Sequence, residues 1–224
     1  MRAIHRRGDW ADASMGPKGP LERETPRFLL VHHTASANDY SEDSVAGYLR
    51  RVFDLHTGKG WPDVAYNFFV DRYGGCWEGR TGSLAGPVRA DATGGSQGHA
   101  QLVCLIGNFE DAPPTTAAVD ALVELLAWLA ERDGIDATPG ASVEFVSRGS
   151  NLWPAGATVR TRTIAGHREM SDTLCPGEHL FALLEHDIPT RVAAALRART
   201  DSRLRRWWRR RACRPDVAAN EAAT

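Results

Sequence analysis

The order of apolar segments along the chain is the feature that most limits its fold. Short continuous apolar runs at residues 28–31 and 102–106 are typical of buried strands. Three longer segments show apolar residues at helical spacing, one of them between these runs and two after them. The second segment is capped by Thr115 or Thr116, and the third opens at Pro176. This alternation predicts an α/β fold, a single domain whose central mixed β-sheet is flanked by helices.

The remaining segments are shorter or less regular. Residues 66–71 and 76–78 predict a β-hairpin, and residues 161–165 predict a last strand. Small residues between 81 and 100 predict a loop. Several Gly and Pro residues between 135 and 160 predict a long connection, and such connections are often functional.

Both ends of the chain differ from the part between them. Residues 1–26 are polar and interrupted by Gly and Pro, which predicts an irregular lead-in before a domain over residues 27–199. Residues 200–224 form a basic tail, in which residues 203–211 include six Arg and two Trp. Cationic residues with Trp suit an anionic envelope surface, and a solvated extension is the alternative.

Four side chains suit a catalytic metal. His32 and His33 end the first strand, His167 follows the last predicted strand, and Cys175 precedes Pro176. A catalytic zinc usually has three protein ligands and a fourth position for water. Neighbouring strand residues point to opposite faces, so at most one of His32 and His33 is a ligand. Proline at the first helical position would make Cys175 the N-cap, where the helix dipole favours a thiolate.

The same residues also allow an interpretation without metal. A cysteine before a helix is usually a small buried residue. A histidine at the end of a strand is often a surface residue or a hydrogen-bonded core residue. Spacing alone leaves this alternative open, and it does not decide between His32 and His33.

Six segments carry a resemblance to a known family. They are Val31-His32-His33-Thr34-Ala35, Gly60-Trp61-Pro62-Asp63-Val64-Ala65-Tyr66-Asn67-Phe68, Glu78-Gly79-Arg80, Ile106-Gly107-Asn108-Phe109, Gly166-His167-Arg168 and Thr173-Leu174-Cys175-Pro176-Gly177. In this order they resemble the motifs of the peptidoglycan recognition protein and phage-lysozyme type N-acetylmuramoyl-L-alanine amidase family. A single motif would be a weak signal, whereas several in register are a strong one.

The resemblance implies a Zn²⁺ ion held by His32, His167 and Cys175 in a groove on one face of the sheet. Tyr66 matches a tyrosine that assists the zinc-bound water or the oxyanion. Thr173 matches a position that holds lysine or threonine in the family. The implied reaction is hydrolysis of the amide bond between N-acetylmuramic acid and L-alanine in bacterial peptidoglycan. A peptidoglycan-binding recognition protein without catalysis is the alternative, and the complete set of ligands disfavours it.

Five further residues are predicted to bind the glycan strand or its stem peptide, namely His56, Trp61, Asn67, Arg80 and His99. Arg80 is expected to grip a stem-peptide carboxylate, with a surface salt bridge as the alternative. Trp61 is expected to stack on a sugar or peptide face, with core packing as the alternative. The histidine that usually follows the Glu-Gly-Arg motif in the family is missing here, and His99 is the candidate to replace it.

The general base and the other cysteines stay open. Some cytoplasmic relatives carry a glutamate on the strand at residues 102–106, and Cys104 has that position here. Glu110 lies just beyond this strand, but nothing in the sequence links it to the predicted metal site. Cys76 and Cys104 are expected to be buried thiols, or a disulfide if their strands pair.

Charge and the N-terminus limit partners and location. The formal net charge of −1 provides no overall field that favours nucleic acid, so we expect no specific nucleic-acid partner. We also expect a monomer. No apolar run approaches the roughly 18 residues needed to span a bilayer, and the N-terminus lacks the apolar segment of a secretory signal. An enzyme acting on the cell wall would then be released by phage-type lysis, be of cytoplasmic origin, or be represented here without its leader. The missing strand glutamate argues against a cytoplasmic recycling enzyme.

Overall fold

The computed structural model describes residues 3–94 and 99–212, with the side chains of residues 202–212 left out. Its strands are β1 Ile4–His5, β2 Phe28–His33, β3 Phe68–Val70, β4 Cys76–Glu78, β5 Ala100–Leu105, β6 Ser142–Val146, β7 Thr158–Arg162 and β8 Ile164–Gly166. A central sheet has the order β1-β4-β3-β5-β2-β8, while β6 and β7 form a separate pair. In the central sheet the β3–β4 pair is antiparallel and the other pairs are parallel. The predicted mixed sheet is therefore confirmed.

The described residues form the helices α1 Val45–Gly58, α2 Thr116–Asp133, α3 Glu178–His186 and α4 Ile188–Ala212. Thr115 caps α2, since its hydroxyl accepts a hydrogen bond from the backbone N–H of Ala118 at 3.1 Å. Gly134 ends α2 at a φ of 69°, a left-handed conformation that glycine adopts without steric cost. Helices flank the sheet as the sequence predicts.

The predicted single helix that opens at Pro176 is wrong in two respects. α3 begins two residues later than Pro176, and Asp187 separates α3 from α4. Pro189 lies in the first turn of α4, where the missing N–H of proline is tolerated. In a continuous helix that N–H would be needed, so the chain starts a new helix here. Both helices still contribute to one core, through Leu180, Leu184, Ile188 and Val192.

The central sheet buries its two faces against different layers. Leu29 and Val31 belong to the face that packs against α2, α3 and α4. Phe28 and Leu30 belong to the other face, which is covered by the β6–β7 hairpin at one end and by α1 at the other. Because side chains alternate along a strand, His32 points toward this second face.

The long connection predicted over residues 135–160 contains regular structure. β6 and β7 pair as an antiparallel hairpin, and Phe145 of β6 is buried whereas its neighbour Val146 is 58% exposed. The predicted last strand over residues 161–165 is divided between β7 and β8. β6 is only five residues long and buries one of them, so the surrounding Gly and Pro residues hid it in the sequence.

The segment 1–26, predicted to be an irregular lead-in, is irregular over most of its length but contributes to the fold. Ile4 and His5 form β1, which pairs with β4 at the edge of the sheet. Trp10 is buried, and its indole Nε1 donates to the backbone oxygen of Glu78 at 2.7 Å. This segment therefore covers part of the core. None of the described helices is both long and apolar enough to cross a bilayer.

Candidate metal centre

Two neighbouring parallel strands bring two histidines together. β2 and β8 pair with Val31 opposite Gly166, so the residues that follow, His32 and His167, lie side by side at one edge of the sheet. Their ring centroids are 4.3 Å apart. Cys175 comes from the loop before α3, and its Sγ lies 3.7 Å from Nδ1 of His32.

The three side chains fit a divalent metal ion. One ligand atom each of His32, His167 and Cys175 lies within 4.8 Å of the others. With Zn–S of about 2.3 Å and Zn–N of about 2.0 Å, tetrahedral geometry separates sulfur and nitrogen ligands by roughly 3.5 Å. The observed distance between Cys175 Sγ and His32 Nδ1 is close to this value. Nε2 of His32 is also buried without a hydrogen-bond partner among the described residues.

His33 points away from this cluster. Its Nδ1 accepts a hydrogen bond from the backbone N–H of Phe109 at 3.2 Å, on the opposite face of the sheet. The structure thus brings His32 and not His33 to the other two candidate ligands. The backbone N–H of His33 still contacts the cluster, because it donates to Cys175 Sγ at 3.4 Å.

Burial keeps both candidate imidazole ligands neutral. It lowers the pKa of His32 well below the usual value, and the neighbouring His167 lowers that pKa further. Burial likewise lowers the pKa of His167 to about 4, with a smaller contribution from His33. A metal binds the neutral imidazole, so neither ring has to lose a proton at pH 7.

Cys175 lacks the helix terminus that the sequence predicts. The N-cap of α3 is Gly177, so the prediction that Cys175 is an N-cap thiolate stabilised by the helix dipole is wrong. The peptide bond that follows Cys175 is cis. Burial raises the pKa of Cys175 to about 12, although the His33 N–H and Arg168 both act to lower it. A cation in contact with the sulfur would favour the thiolate instead.

Tyr66 lies beside the three candidate ligands. Its ring centroid is 5.1 Å from that of His32, and it packs against the clusters beneath both α1 and the β6–β7 hairpin. Burial raises the pKa of Tyr66 well above the usual value, and Cys104 raises it further. Cys104 is opposite His32 in the β2–β5 pairing. Tyr66 therefore keeps its proton, and its hydroxyl is able to donate a hydrogen bond.

A family model described as N-acetylmuramoyl-L-alanine amidase matches residues 22–178. The chain belongs to this family. Peptidoglycan recognition protein 1 of Mus musculus is 30% identical over 161 residues, which cover 71% of this chain and 74% of that protein. N-acetylmuramoyl-L-alanine amidase of Homo sapiens is 30% identical over 187 residues, which cover 81% of this chain but 28% of that protein.

Similarity to a solved structure supports the fold. The wild-type Drosophila PGRP-LB structure has a TM-score of 0.64 and 25% sequence identity. The match covers 83% of this chain and 94% of that chain. Relatives in this family thus include proteins named for recognition and proteins named for amide hydrolysis.

His56 and Trp61 are both predicted to bind substrate, and His56 lies between Tyr66 and Trp61. The ring of His56 is 5.7 Å from that of Tyr66 and 5.0 Å from that of Trp61. Nδ1 of His56 accepts a hydrogen bond from the backbone N–H of Ala65 at 3.0 Å. Burial lowers the pKa of His56 to about 4, so the ring is neutral at pH 7. Trp61 is only partly buried and therefore reaches the surface next to His56.

Asn67, in contrast, is committed to the core. Its side chain donates to Val88 O at 2.7 Å and to Ser83 Oγ at 3.1 Å, and it accepts from Leu102 N at 2.8 Å. It is fully buried. The structure therefore contradicts the prediction that Asn67 binds substrate, because its amide is already used to hold a loop to β5.

His99 lies at the other end of the sheet from the metal ligands. It directly precedes β5, whereas Cys104 near the end of β5 is the residue opposite His32. At about 3.3 Å per residue, the separation along the strand is about 16 Å. His99 instead contacts Phe145 of the β6–β7 hairpin. The structure does not bring His99 to the site, so it does not replace the missing family histidine there.

Arg80 and Thr173 have structural partners that bear on their predicted roles. Arg80 forms a salt bridge with Asp91, as the alternative expected, but its guanidinium is 1% exposed, so this is not a salt bridge of the open surface. Its Nε and Nη1 are nevertheless without hydrogen-bond partners among the described residues. Thr173 Oγ1 accepts a hydrogen bond from the backbone N–H of Cys175 at 3.2 Å, which ties it to the candidate metal ligand.

The alternative of a disulfide between Cys76 and Cys104 is wrong. Both are free thiols, and β3 lies between β4 and β5, so the strands that carry them do not pair. They also belong to clusters on opposite faces of the sheet.

Sequence analysis missed Asn151 and Trp153, which contact the segment between His167 and Cys175. Their only signal was their place in a long connection.

Proposed function

We propose that this protein is a zinc-dependent hydrolase that cleaves the amide bond between N-acetylmuramic acid and L-alanine in bacterial peptidoglycan. The observation that carries the proposal is the convergence of His32, His167 and Cys175, with the ring of Tyr66 beside that of His32. Two neutral imidazoles and a sulfur suit Zn²⁺, and three protein ligands leave a fourth position for water.

Each residue of the site has a defined part in this reaction. Zinc, when bound, supplies a water of lowered pKa and polarises the scissile carbonyl. Tyr66 stays protonated and donates its O–H to the carbonyl oxygen as negative charge develops there. The N–H of His33 supports the sulfur of Cys175. The hydroxyl oxygen of Thr173 accepts a hydrogen bond from the N–H of Cys175. The hydrogen of the same neutral hydroxyl can donate to substrate.

Substrate contacts are proposed at residues around this centre. Trp61, next to His56 and partly exposed, stacks on a sugar or peptide face. Arg80 lines a surface cavity with Arg89 and Asp91, and its guanidinium is 1% exposed. We propose that a carboxylate of the stem peptide enters this cavity and that Arg80 turns out of its buried position to bind it.

A peptidoglycan-binding protein without catalysis is the second candidate. Similarity to recognition protein 1 of Mus musculus favours it. The complete set of His32, His167 and Cys175, together with the protonated Tyr66, favours the hydrolase, because binding alone requires none of these chemical properties.

The setting of the reaction is part of the same proposal. We propose a monomer that acts on the bacterial cell wall, without a specific nucleic-acid partner. The basic tail over residues 200–224 concentrates it at an anionic envelope surface. Six Arg and two Trp within residues 203–211 support this role, although their side chains lie outside the described residues.

Mass spectrometry of digested sacculi tests the bond that is cut. We expect the release of intact stem peptides from glycan by protein that holds one zinc per chain. Cys175→Ser should lose both zinc and activity, whereas Cys76→Ser should keep both because Cys76 lies on the opposite face of the sheet. Wall binding that survives chelation, without any released peptide, would instead support the binding protein.

A further inference from the structure

We infer that the loop between β6 and β7, residues 147–157, is a brace that positions the metal-ligand segment 167–175. Asn151 and Trp153 are its positioning residues. The inference rests on the proposed metal centre. It assigns a role to a hairpin that supplies no candidate ligand itself.

The two ends of the ligand segment are the candidate ligands His167 and Cys175. The backbone between them therefore has to be held in place for both to reach one metal ion. His167 and Cys175 are separated by seven residues, most of them outside helices and strands. Arg168 closes the ends of this segment: its backbone N–H donates to Cys175 O at 2.9 Å, and its Nη2 donates to Leu174 O at 2.6 Å. These bonds join the two ends to each other.

Glu169 holds the first part of the segment to the sheet, because its carboxylate accepts from the N–H of Gly166 at 2.7 Å and pairs with Arg162 of β7 at 2.8 Å. The residues between Met170 and Cys175 still need support.

The β6–β7 loop contacts the middle of the segment at two points. The indole Nε1 of Trp153 donates to Glu169 O at 2.8 Å. The amide of Asn151 pairs with the backbone of Asp172 in both directions, since Nδ2 donates to Asp172 O at 3.1 Å and Oδ1 accepts from Asp172 N at 3.0 Å. Together the two contacts fix the position and the orientation of the backbone between the ligands.

The loop is itself well held, which a brace requires. Ser150 Oγ accepts from the backbone N–H groups of Leu152 and Trp153 at 3.2 and 2.9 Å, and its own N–H donates to Trp153 O at 2.8 Å. At the base of the hairpin, Phe145 and Val159 are buried against the sheet face that also carries His32. The loop thus connects the ligand segment to the layer beneath the first ligand.

A third segment fits tightly between the loop and the ligand segment. A Cβ added to Gly94 would lie 2.8 Å from Ser171 Oγ and 3.2 Å from Ser150 Cβ. Gly94 also has a φ of 64°, which disfavours other residues. This close approach leaves the ligand segment little room to shift toward Gly94.

The test is metal affinity in two tryptophan variants. Trp153→Phe removes the indole donor to Glu169 and keeps an aromatic ring. Trp77→Phe is the matched control, because Trp77 is also half-buried and donates its indole N–H to Asp71 at 2.7 Å, on a strand that carries no candidate ligand. The dissociation constant for Zn²⁺ is measured by chelator competition, and the visible spectrum of the Co²⁺ form reports ligand geometry.

We expect Trp153→Phe to weaken Zn²⁺ binding about 10-fold and to alter the Co²⁺ spectrum, at the low end of the 10- to 100-fold typical of groups that orient metal ligands. Trp77→Phe should change neither. Asn151→Ala should weaken binding in the same direction, and since Asn151 is exposed this variant keeps the test valid if Trp153→Phe unfolds. If Trp153→Phe and Asn151→Ala both bind Zn²⁺ as tightly as the wild-type protein and give its Co²⁺ spectrum, the inference about the loop is wrong, and the proposed function is unaffected. A wild-type protein that binds no metal would overturn the proposed function as well.

Discussion

The neutral, buried His56 makes stability depend on pH in a predictable way. Burial lowers its pKa from 6.5 to about 4 in the folded protein, whereas the unfolded chain keeps a value near 6.5. Above pH 6.5 the ring is neutral in both states, so His56 contributes no pH dependence. As the pH falls below 6.5, His56 binds a proton in the unfolded state but not in the folded state, so the free energy of unfolding decreases.

The size of this loss follows from the two pKa values. Each pH unit between them lowers the free energy of unfolding by about 1.4 kcal/mol. The total is therefore about 3 kcal/mol by pH 4, and about 2 kcal/mol at pH 5. The ring is 6% exposed, so solvent screening reduces these values only slightly.

Urea unfolding from pH 7.5 to pH 4.5 measures the effect, with tryptophan fluorescence as the signal and a chelator present to remove metal. His56→Gln is the comparison variant, because an amide oxygen can accept the N–H of Ala65 but does not titrate. The other ionisable groups are common to both proteins and cancel in the difference. We expect the wild-type protein to lose about 2 kcal/mol more than the variant between pH 7.5 and pH 5. Parallel curves would refute the reasoning.

Three other predictions concern the hydroxyl donor, the N-terminal segment and the basic tail. Tyr66→Phe should lower the rate of stem-peptide release on the order of 10²–10³-fold and leave zinc content unchanged, and near-normal release would exclude its role as donor. Trp10→Ala should lower the free energy of unfolding by about 3–5 kcal/mol in a denaturant titration, since it empties a buried site; a loss below about 1 kcal/mol would mean that the segment is dispensable. Deleting residues 201–224 should weaken sedimentation with whole cell walls while release from soluble fragments persists, and undiminished sedimentation would remove the proposed role of the tail.

The elements that sequence analysis predicted well have apolar patterns that the core enforces. β2 and β5 contain continuous apolar runs because both of their faces are buried, and α2 has clear signals at Thr115 and Gly134. The β6–β7 hairpin was missed because only one residue of β6 is fully buried. The break at Asp187 was missed because apolar spacing continues across it, even though Pro189 interrupts the hydrogen bonds.

The residues of the candidate site were likewise predicted only in part from the sequence. The motifs identified His32, His167 and Cys175, but their convergence depends on the pairing of β2 with β8, which spacing along the chain does not reveal. Asn67 was assigned to substrate because its place in a motif does not show its burial. The sequence also did not reveal that Gly177, rather than Cys175, caps α3, because this depends on the backbone conformation after the cysteine.

The pairing of β2 with the edge strand β8 also governs when the metal centre can exist during synthesis. His32 is made early, but Cys175 follows it by 143 residues. A nascent chain that stops before β8 holds one of the three candidate ligands, however well its earlier strands have formed. Metal capture therefore has to wait until nearly the whole sheet is assembled, and an unfinished or truncated chain cannot acquire the proposed lytic activity.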